Sequence, residues 1–124
     1  MRSAEQHRAL NLWRVASVSS VRRDGPDLTA RQMAILLTVY MMPQPHTVRG
    51  LSDQLAVSKP AVTRALDRLS VLGFVRRKVD DDDRRSVLVQ RTVKGSVYLS
   101  DFSEIIQDAE REVATAGTAD SEGL

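Results

Sequence analysis

The 124-residue chain contains no cysteine, so it can carry no disulfide framework, no thiolate metal site and no thiol-based redox switch. That composition fits a reducing cytosol. Histidine is nearly as scarce. His7 and His46 are the only two; they lie far apart with no helical partner spacing, and each reads as a surface or capping residue. The chain therefore lacks the placed nucleophile, base or metal that an enzyme needs, and no catalytic residue, cofactor or metal is expected. The run Asp80–Asp83 does not read as a calcium loop, because no starting aspartate puts glycine at the sixth position and glutamate at the twelfth. Long hydrophobic runs are missing too. Met33 to Met42 is interrupted by Thr38 and is too short for a bilayer, so no membrane span is expected. The start MRSAEQHRALNLW has no uninterrupted apolar core followed by a small-residue cleavage site, so secretion is not expected and a cytoplasmic protein is.

What is present suffices for a folded core. Hydrophobic residues make up 42% of the chain, enough at this length for one domain without help from metals or disulfides. The net charge of +2 is small, but it is unevenly spread. Met1–Pro45 carries six basic and three acidic residues, His46–Gly95 eleven and six, and Ser96–Leu124 one and seven. A polyanion would be drawn to the middle third and repelled by the acidic end. On charge alone, a randomly mixed surface accounts for this equally well.

The periodicity gives mostly helices. From Ser3 to about Arg23, apolar residues spread over more than half a helical circumference, so this helix wants cover on two sides. Asp24-Gly25-Pro26-Asp27 stops it. Thr29 and Gln32 form a capping-box pattern for a second helix, Ala30 to Met42, which Pro43 and Pro45 end. His46 to Val48 reads as extended. Arg49 to Ala56 supports two helical turns, with Leu51 and Leu55 on one stripe. After Val57, Ser58 is a good N-cap and Pro60 fits a first turn. The helix that follows puts Val62, Leu66 and Leu69 on one side and Lys59, Ala61, Thr63, Arg64, Asp67, Arg68 and Ser70 on the other. Gly73 ends it. The period then changes to alternation in Phe74–Val79 and Ser86–Arg91, a β-hairpin with DDDDRR at its tip. Thr92 caps a last helix with an apolar stripe from Val97 to Val113. The segment 115–124 is small and polar and reads as a disordered tail. The expected fold is mainly α with a small β-hairpin wing: one domain over 1–114, with residues 28–95 as its core unit.

Two short helices joined by a tight turn and followed by a basic hairpin are the unit that places a helix in the major groove of DNA. The side chains fit that task. Ser58, Lys59, Thr63, Arg64 and Arg68 are donors for phosphates and base edges. Pro60 and Ala61 are small enough for close approach and for contact with a thymine methyl. Arg64 is the leading candidate for base reading. At the hairpin tip, Arg84 and Arg85 are the cations suited to a narrow minor groove. The four acids beside them make sense if Asp83 holds an arginine through a bidentate pair and the others face solvent. Alone, the tip reads as a solvated turn; directly after a helix-turn-helix it reads as a wing.

The stretch LSDQLAVSKPAVTRALDRLSVLGFVRRKVDDDDRRSVLVQRTVKG resembles the core of the MarR (multiple antibiotic resistance regulator) family of winged-helix transcription factors. It carries the S-x-x-x-V-T-R-x-x-D-x-L helix, the G-[FL]-V-x-R strand, the D-x-R wing and the T-x-x-G entry to the next helix, with Arg91 where the family usually has Leu. The likeness runs from about Leu28 to Phe102. It implies that Arg85 enters the minor groove, that Asp83 orients it, and that Ser58, Thr63, Arg64 and Arg68 are recognition-helix contacts. It also implies a small-molecule effector pocket near Trp13, Met33, Leu37, Tyr40 and Met41, residues that serve equally as core.

Family members dimerise by interlacing the N-terminal helix with two C-terminal helices, and here one long C-terminal helix fits before the polar tail. Leu10, Trp13, Phe102, Ile105, Ile106 and Ala109 are the residues for a reduced two-fold interface, unless the two end helices simply pack on each other within one chain. The resemblance implies a sequence-specific regulator, most simply a repressor, binding a near-palindromic stretch of double-stranded DNA as a homodimer. A winged helix turned to protein binding, or paired with another regulator, is the alternative, and it would not need the full basic set.

Overall fold

The structure, a computed structural model, describes the backbone of residues 1–123 and the side chains of residues 1–116. Among the described residues, five helices and three short strands follow in the order α1 (Ala4–Arg22), α2 (Ala30–Met41), β1 (His46–Thr47), α3 (Val48–Leu55), α4 (Lys59–Val71), β2 (Val75–Val79), β3 (Val87–Arg91) and α5 (Val93–Gly123). The residues fall into two compact units: Leu28–Tyr98, and Met1–Asp27 with Leu99–Leu124.

In the unit Leu28–Tyr98, each helix starts where a side chain can satisfy its free amides. Thr29 and Gln32 form a reciprocal capping box on α2. Thr47 caps α3 by accepting from the Gly50 amide at 2.9 Å, and Ser58 caps α4 by accepting from the Ala61 amide at 3.2 Å. Between α3 and α4 the chain turns at Ala56, whose φ of 54° lies in the left-handed region. An alanine is costly there. The turn is held by Ser52, whose hydroxyl donates to the Val57 carbonyl at 2.5 Å while its own carbonyl accepts from the Val57 amide at 3.2 Å. Gly73, at φ +79°, turns the chain out of α4 into the hairpin.

The core of this unit is the wide stripe of α4, Ala61, Val62, Ala65, Leu66 and Leu69, packed with Ile35, Leu36 and Val39 of α2 and Leu51 of α3. The strands form one antiparallel sheet in the order β1-β3-β2, so β3 is central. Val75 pairs with Arg91 and Val79 with Val87 across the hairpin, while His46 and Thr47 pair with Val89 and Leu88. Of the two readings open for His46, surface or capping residue, the capping one holds, at the carbonyl end of α2. His46 is 5% exposed, and its Nε2 donates to the Met42 carbonyl at 3.0 Å. Its place in β1, beside the central strand, buries it.

The base of the hairpin is knotted to α2 by Tyr40. The hydroxyl proton of Tyr40 is shared between the carbonyls of Phe74 (2.7 Å) and Thr92 (3.0 Å), and its oxygen accepts from the Thr92 amide at 2.8 Å. Thr92 in turn donates its hydroxyl to the Gly73 carbonyl at 2.7 Å and accepts from the Gly95 amide at 2.9 Å, capping α5. A Cβ on Gly95 would overlap both the Tyr40 hydroxyl and the Phe74 carbonyl, which is why the turn into α5 needs glycine. The Phe74 and Tyr98 rings stack beside this knot, centroids 4.3 Å apart. Arg91 closes the other side. Its Nε and Nη2 donate to the Val39 and Met42 carbonyls at 2.8 and 2.9 Å, supplying a cation to the carbonyl end of α2.

In the second unit, Ser3 and Gln6 form a capping box on α1. Val15 and Ala16 of α1 are buried with Ala109 and Val113 of α5, with Leu12 and Ile105 packed against them. Thus Ala109 and Ile105, expected on an interface between chains, pack within one chain. Leu10, Trp13 and Val21 remain 51%, 72% and 71% exposed, and Ile106 42%. The disordered tail does not begin at Thr115, as expected. Thr115 and Ala116 continue α5, and the Thr115 hydroxyl finds the Arg111 carbonyl at 3.0 Å, so the small polar residues there do not interrupt the backbone ladder. For the rest of that expected tail, the side chains of 117–123 and all of residue 124 lie outside the described residues.

Removing the Tyr40 hydroxyl leaves the Thr92 amide without its acceptor and the Phe74 carbonyl without its donor. Tyr40→Phe is expected to lower stability by about 2 kcal/mol, read as a lower urea midpoint at unchanged m. Gly95→Ala is expected to cost more, since its methyl meets backbone as well as the hydroxyl; an unaltered midpoint for either variant would contradict the knot.

Candidate nucleic-acid interface

The exposed side of α4 carries Lys59, Pro60, Thr63, Arg64, Asp67 and Arg68, with Ser58 ahead of it. Each of these was expected there. Ala61 was expected there too, and it is instead 6% exposed. The reason is angular: Ala61 lies one turn before Ala65 and extends the apolar stripe, so its methyl faces the core and not a thymine. The Ser58 hydroxyl accepts the Ala61 amide, so this side chain first serves to start the helix, keeping its own proton for another acceptor.

Asp67 would place a negative charge on this basic face. It is neutralised by Arg77 of β2, Nη1 to Oδ1 at 2.8 Å. With the Asp67 side chain 59% exposed, the pair contributes little stability, on the order of 1 kcal/mol or less. Its effect is to offset an acidic charge on this face and to tie α4 to the hairpin.

At the wing tip, the carboxylates of Asp80, Asp81 and Asp83 are engaged locally and Asp82 faces solvent. The Asp80 amide donates to the Ser86 carbonyl at 3.0 Å, the Ser86 amide to the Asp83 carbonyl at 2.8 Å, and the Asp82 amide to the Asp80 carboxylate at 2.9 Å. Lys78 lies 3.7 Å from Asp81. Asp83 does meet Arg85, but the contact is not the bidentate fork expected. A single oxygen, Oδ1, accepts both the Arg85 amide at 3.2 Å and the Arg85 Nε at 3.3 Å. The side chain of Arg85 is 94% exposed, so Asp83 holds its base while the guanidinium end projects into solvent. Arg84 is exposed at the same tip.

A groove of ≈ 590 Å³ runs between these parts, lined by Thr47, Val48, Arg49, Lys59, Thr63, Asp83, Arg85, Ser86 and Val87. It brings Lys59 and Thr63 of the recognition helix together with Arg85 and Asp83 of the wing. Arg64, Arg68, Pro60 and Arg84 lie outside its lining. The sequence reading missed Thr47, Val48 and Arg49. The available signal was Thr47 followed three residues later by the small Gly50, a cap that starts α3 one residue earlier than the apolar spacing suggests and leaves Arg49 in the first turn.

Of the residues considered for an effector, Tyr40 has its hydroxyl fully used in the knot. Met33 and Leu37 of α2 are half-buried, Met41 is 74% exposed, and Trp13 belongs to the other unit, 72% exposed. Among the described residues no group of histidine, aspartate and glutamate side chains is placed to hold a metal ion, and no helix is long and apolar enough to cross a membrane.

The MarR family model matches residues 27–86. The multiple antibiotic resistance protein MarR of Escherichia coli K12 is 34% identical over 95 residues, which cover 76% of this chain and 65% of that protein. This chain thus spans just under two thirds of that relative's length. A mutant of Staphylococcus aureus MepR shares the fold with a TM-score of 0.74 at 20% identity, over 94% of this chain and 84% of that one. A cysteine-to-serine mutant of E. coli MarR, solved in complex with operator DNA, is similar with a TM-score of 0.64 at 27% identity, over 97% of this chain and 87% of that one. With the motif residues Asp67, Arg77, Asp83, Arg85, Thr92 and Gly95 each holding a defined place, residues 27–86 form a MarR-family winged helix-turn-helix.

Proposed function

We propose that this protein is a cytoplasmic, sequence-specific DNA-binding transcriptional regulator, most simply a repressor that occupies a promoter. The observation that carries this reading is the groove shared by the recognition helix and the wing, in which Lys59, Thr63 and Arg85 converge. The roles divide by position. Arg64 and Thr63 read base edges in the major groove, with Pro60 permitting close approach. Ser58, Lys59 and Arg68 meet phosphates, and Arg85 enters the minor groove with Asp83 holding its base and Arg84 beside it. The solved relative bound to operator DNA supports the same use of this fold.

The protein acts as a homodimer on a near-palindromic site. Support comes from α1, whose inner side is buried against α5 while Leu10, Trp13 and Val21 stay outside. An exposed tryptophan flanked by two aliphatic side chains on one helix suits a two-fold contact. A small-molecule effector that shifts DNA affinity belongs to the same reading.

Binding to genomic fragments at several salt concentrations tests the function. A specific regulator is expected to show a steep salt slope and a specific-to-nonspecific ratio of about a thousandfold or more; a flat response would favour a protein-binding module. Arg85→Ala is expected to weaken binding without changing major-groove base preference, whereas Arg64→Ala relaxes that preference. For the dimer, light scattering on a sizing column is expected to give twice the chain mass at micromolar concentration, and Trp13→Ala to shift it toward the monomer. A wild-type monomer would overturn the two-fold model.

A further inference from the structure

Arg49 is a cation that the motif reading leaves without a task. It lies in the first turn of α3, exposed, and lines the same groove as Lys59, Thr63 and Arg85. Its place is fixed by the sheet that carries the wing. Thr47 pairs with Leu88 and His46 with Val89 of β3, and Thr47 then caps α3 through the Gly50 amide. Ser86 and Val87, at the start of that same strand segment, form the opposite wall of the groove. The α3 start and the wing are therefore registered through backbone hydrogen bonds. Each wall contributes one cation: Arg49 from α3, Lys59 from α4 and Arg85 from the wing. The one carboxylate in the lining, Asp83, is engaged by Arg85. Neither Arg49 nor Lys59 makes an ion pair with any described residue.

We infer that Arg49 is a DNA-positioning residue, binding a backbone phosphate of the strand that passes between the recognition helix and the wing. This rests on the reading of the chain as DNA-binding. Phosphate, and not a base edge, is the partner its placement selects. Arg49 belongs to the helix whose buried Leu51 braces α4 from behind, and a bracing helix crosses the backbone while the recognition helix enters the groove. A phosphate held there sets register without reading sequence. The site then grips the polyanion from three walls, the third being the one that neither the recognition-helix motif nor the wing motif announces.

The test measures binding of the full chain to a selected genomic duplex and to a nonspecific duplex, by fluorescence anisotropy from about 50 to 200 mM salt, where each phosphate contact contributes a slope of about 0.9. Arg49→Ala is expected to lower the slope by about that amount per bound protomer, about 1.8 for the dimer, on both duplexes and to weaken both alike, with base preference and urea midpoint unchanged. Arg49→Lys is expected to restore the slope, because a point charge serves a phosphate; Arg49→Gln is expected to behave as alanine does. Arg31→Ala, which removes an exposed charge of α2 outside the groove, is expected to leave the slope as it was. An unchanged slope for Arg49→Ala alongside a reduced one for Arg85→Ala would overturn the role of Arg49 and leave the regulator reading standing. A changed base preference for Arg49→Ala would also overturn it, in favour of base contact. If the unaltered protein shows no salt-dependent binding to any duplex, the regulator reading fails, and the inference with it.

Discussion

The Tyr40 hydroxyl is the point on which the placement of the hairpin and its neighbouring helices depends. It joins α2 to Phe74, the residue before β2, and to Thr92, the residue before α5, so both ends of the hairpin meet α2 at one oxygen. Such a group is expensive to leave unsatisfied and inexpensive to keep once its partners are fixed. Thr92 and Gly95 extend the knot, one by donating and accepting in turn, the other by having no side chain. Because β3 is the central strand, fixing its end at Arg91 and Thr92 also fixes β1 and, through Thr47, the start of α3. The wing, the bracing helix and the recognition helix are therefore held by one small set of hydrogen bonds remote from the groove they shape.

Charge is arranged by the same economy of partners. A basic face interrupted by five carboxylates would be poorly suited to a polyanion. The structure engages four of them locally: Asp67 with Arg77, Asp81 with Lys78, Asp83 with Arg85, and Asp80 with the amide of Asp82. None of these exposed pairs contributes much to stability. Their consequence is directional. Arg85 is held at Nε, which leaves the far side of its guanidinium open, and Arg77 covers an acid that would otherwise face the recognition side.

Much of this was legible in the chain. The capping residues Thr29 and Ser58, the stop at Gly73 and the change of period after it located the first four helices, the hairpin and the start of α5 to within a residue or two, because caps and periodicity are local physics. The pairing of Asp83 with Arg85 was also legible, though not its form, a single carboxylate oxygen in place of a bidentate fork. Three particulars were not legible, and each depends on contacts distant in sequence. Ala61 has the size to approach DNA, but its burial follows from where α4 leans on α2 and α3. His46 sits in a polar, proline-rich stretch, and only its pairing with Val89 buries it. Arg91 departs from the family pattern without local consequence; its grip on the Val39 and Met42 carbonyls spans about fifty positions of sequence.

The sequence by itself determined the elements, their order and the chemistry of the recognition helix and wing, since each rests on side chains within a few positions of one another. Only the tertiary structure decided which of those side chains share a groove. A wing and a helix are separate features until the sheet order β1-β3-β2 is known; that order brings the first turn of α3 against the wing and makes Arg49 part of the site. The same holds at the other unit, where sequence showed an α1 too apolar for one partner, and packing decided which side α5 covers and which side, with Trp13, is left outward. Local hydrogen bonds and period set what a segment is, whereas burial is a property of two segments at once.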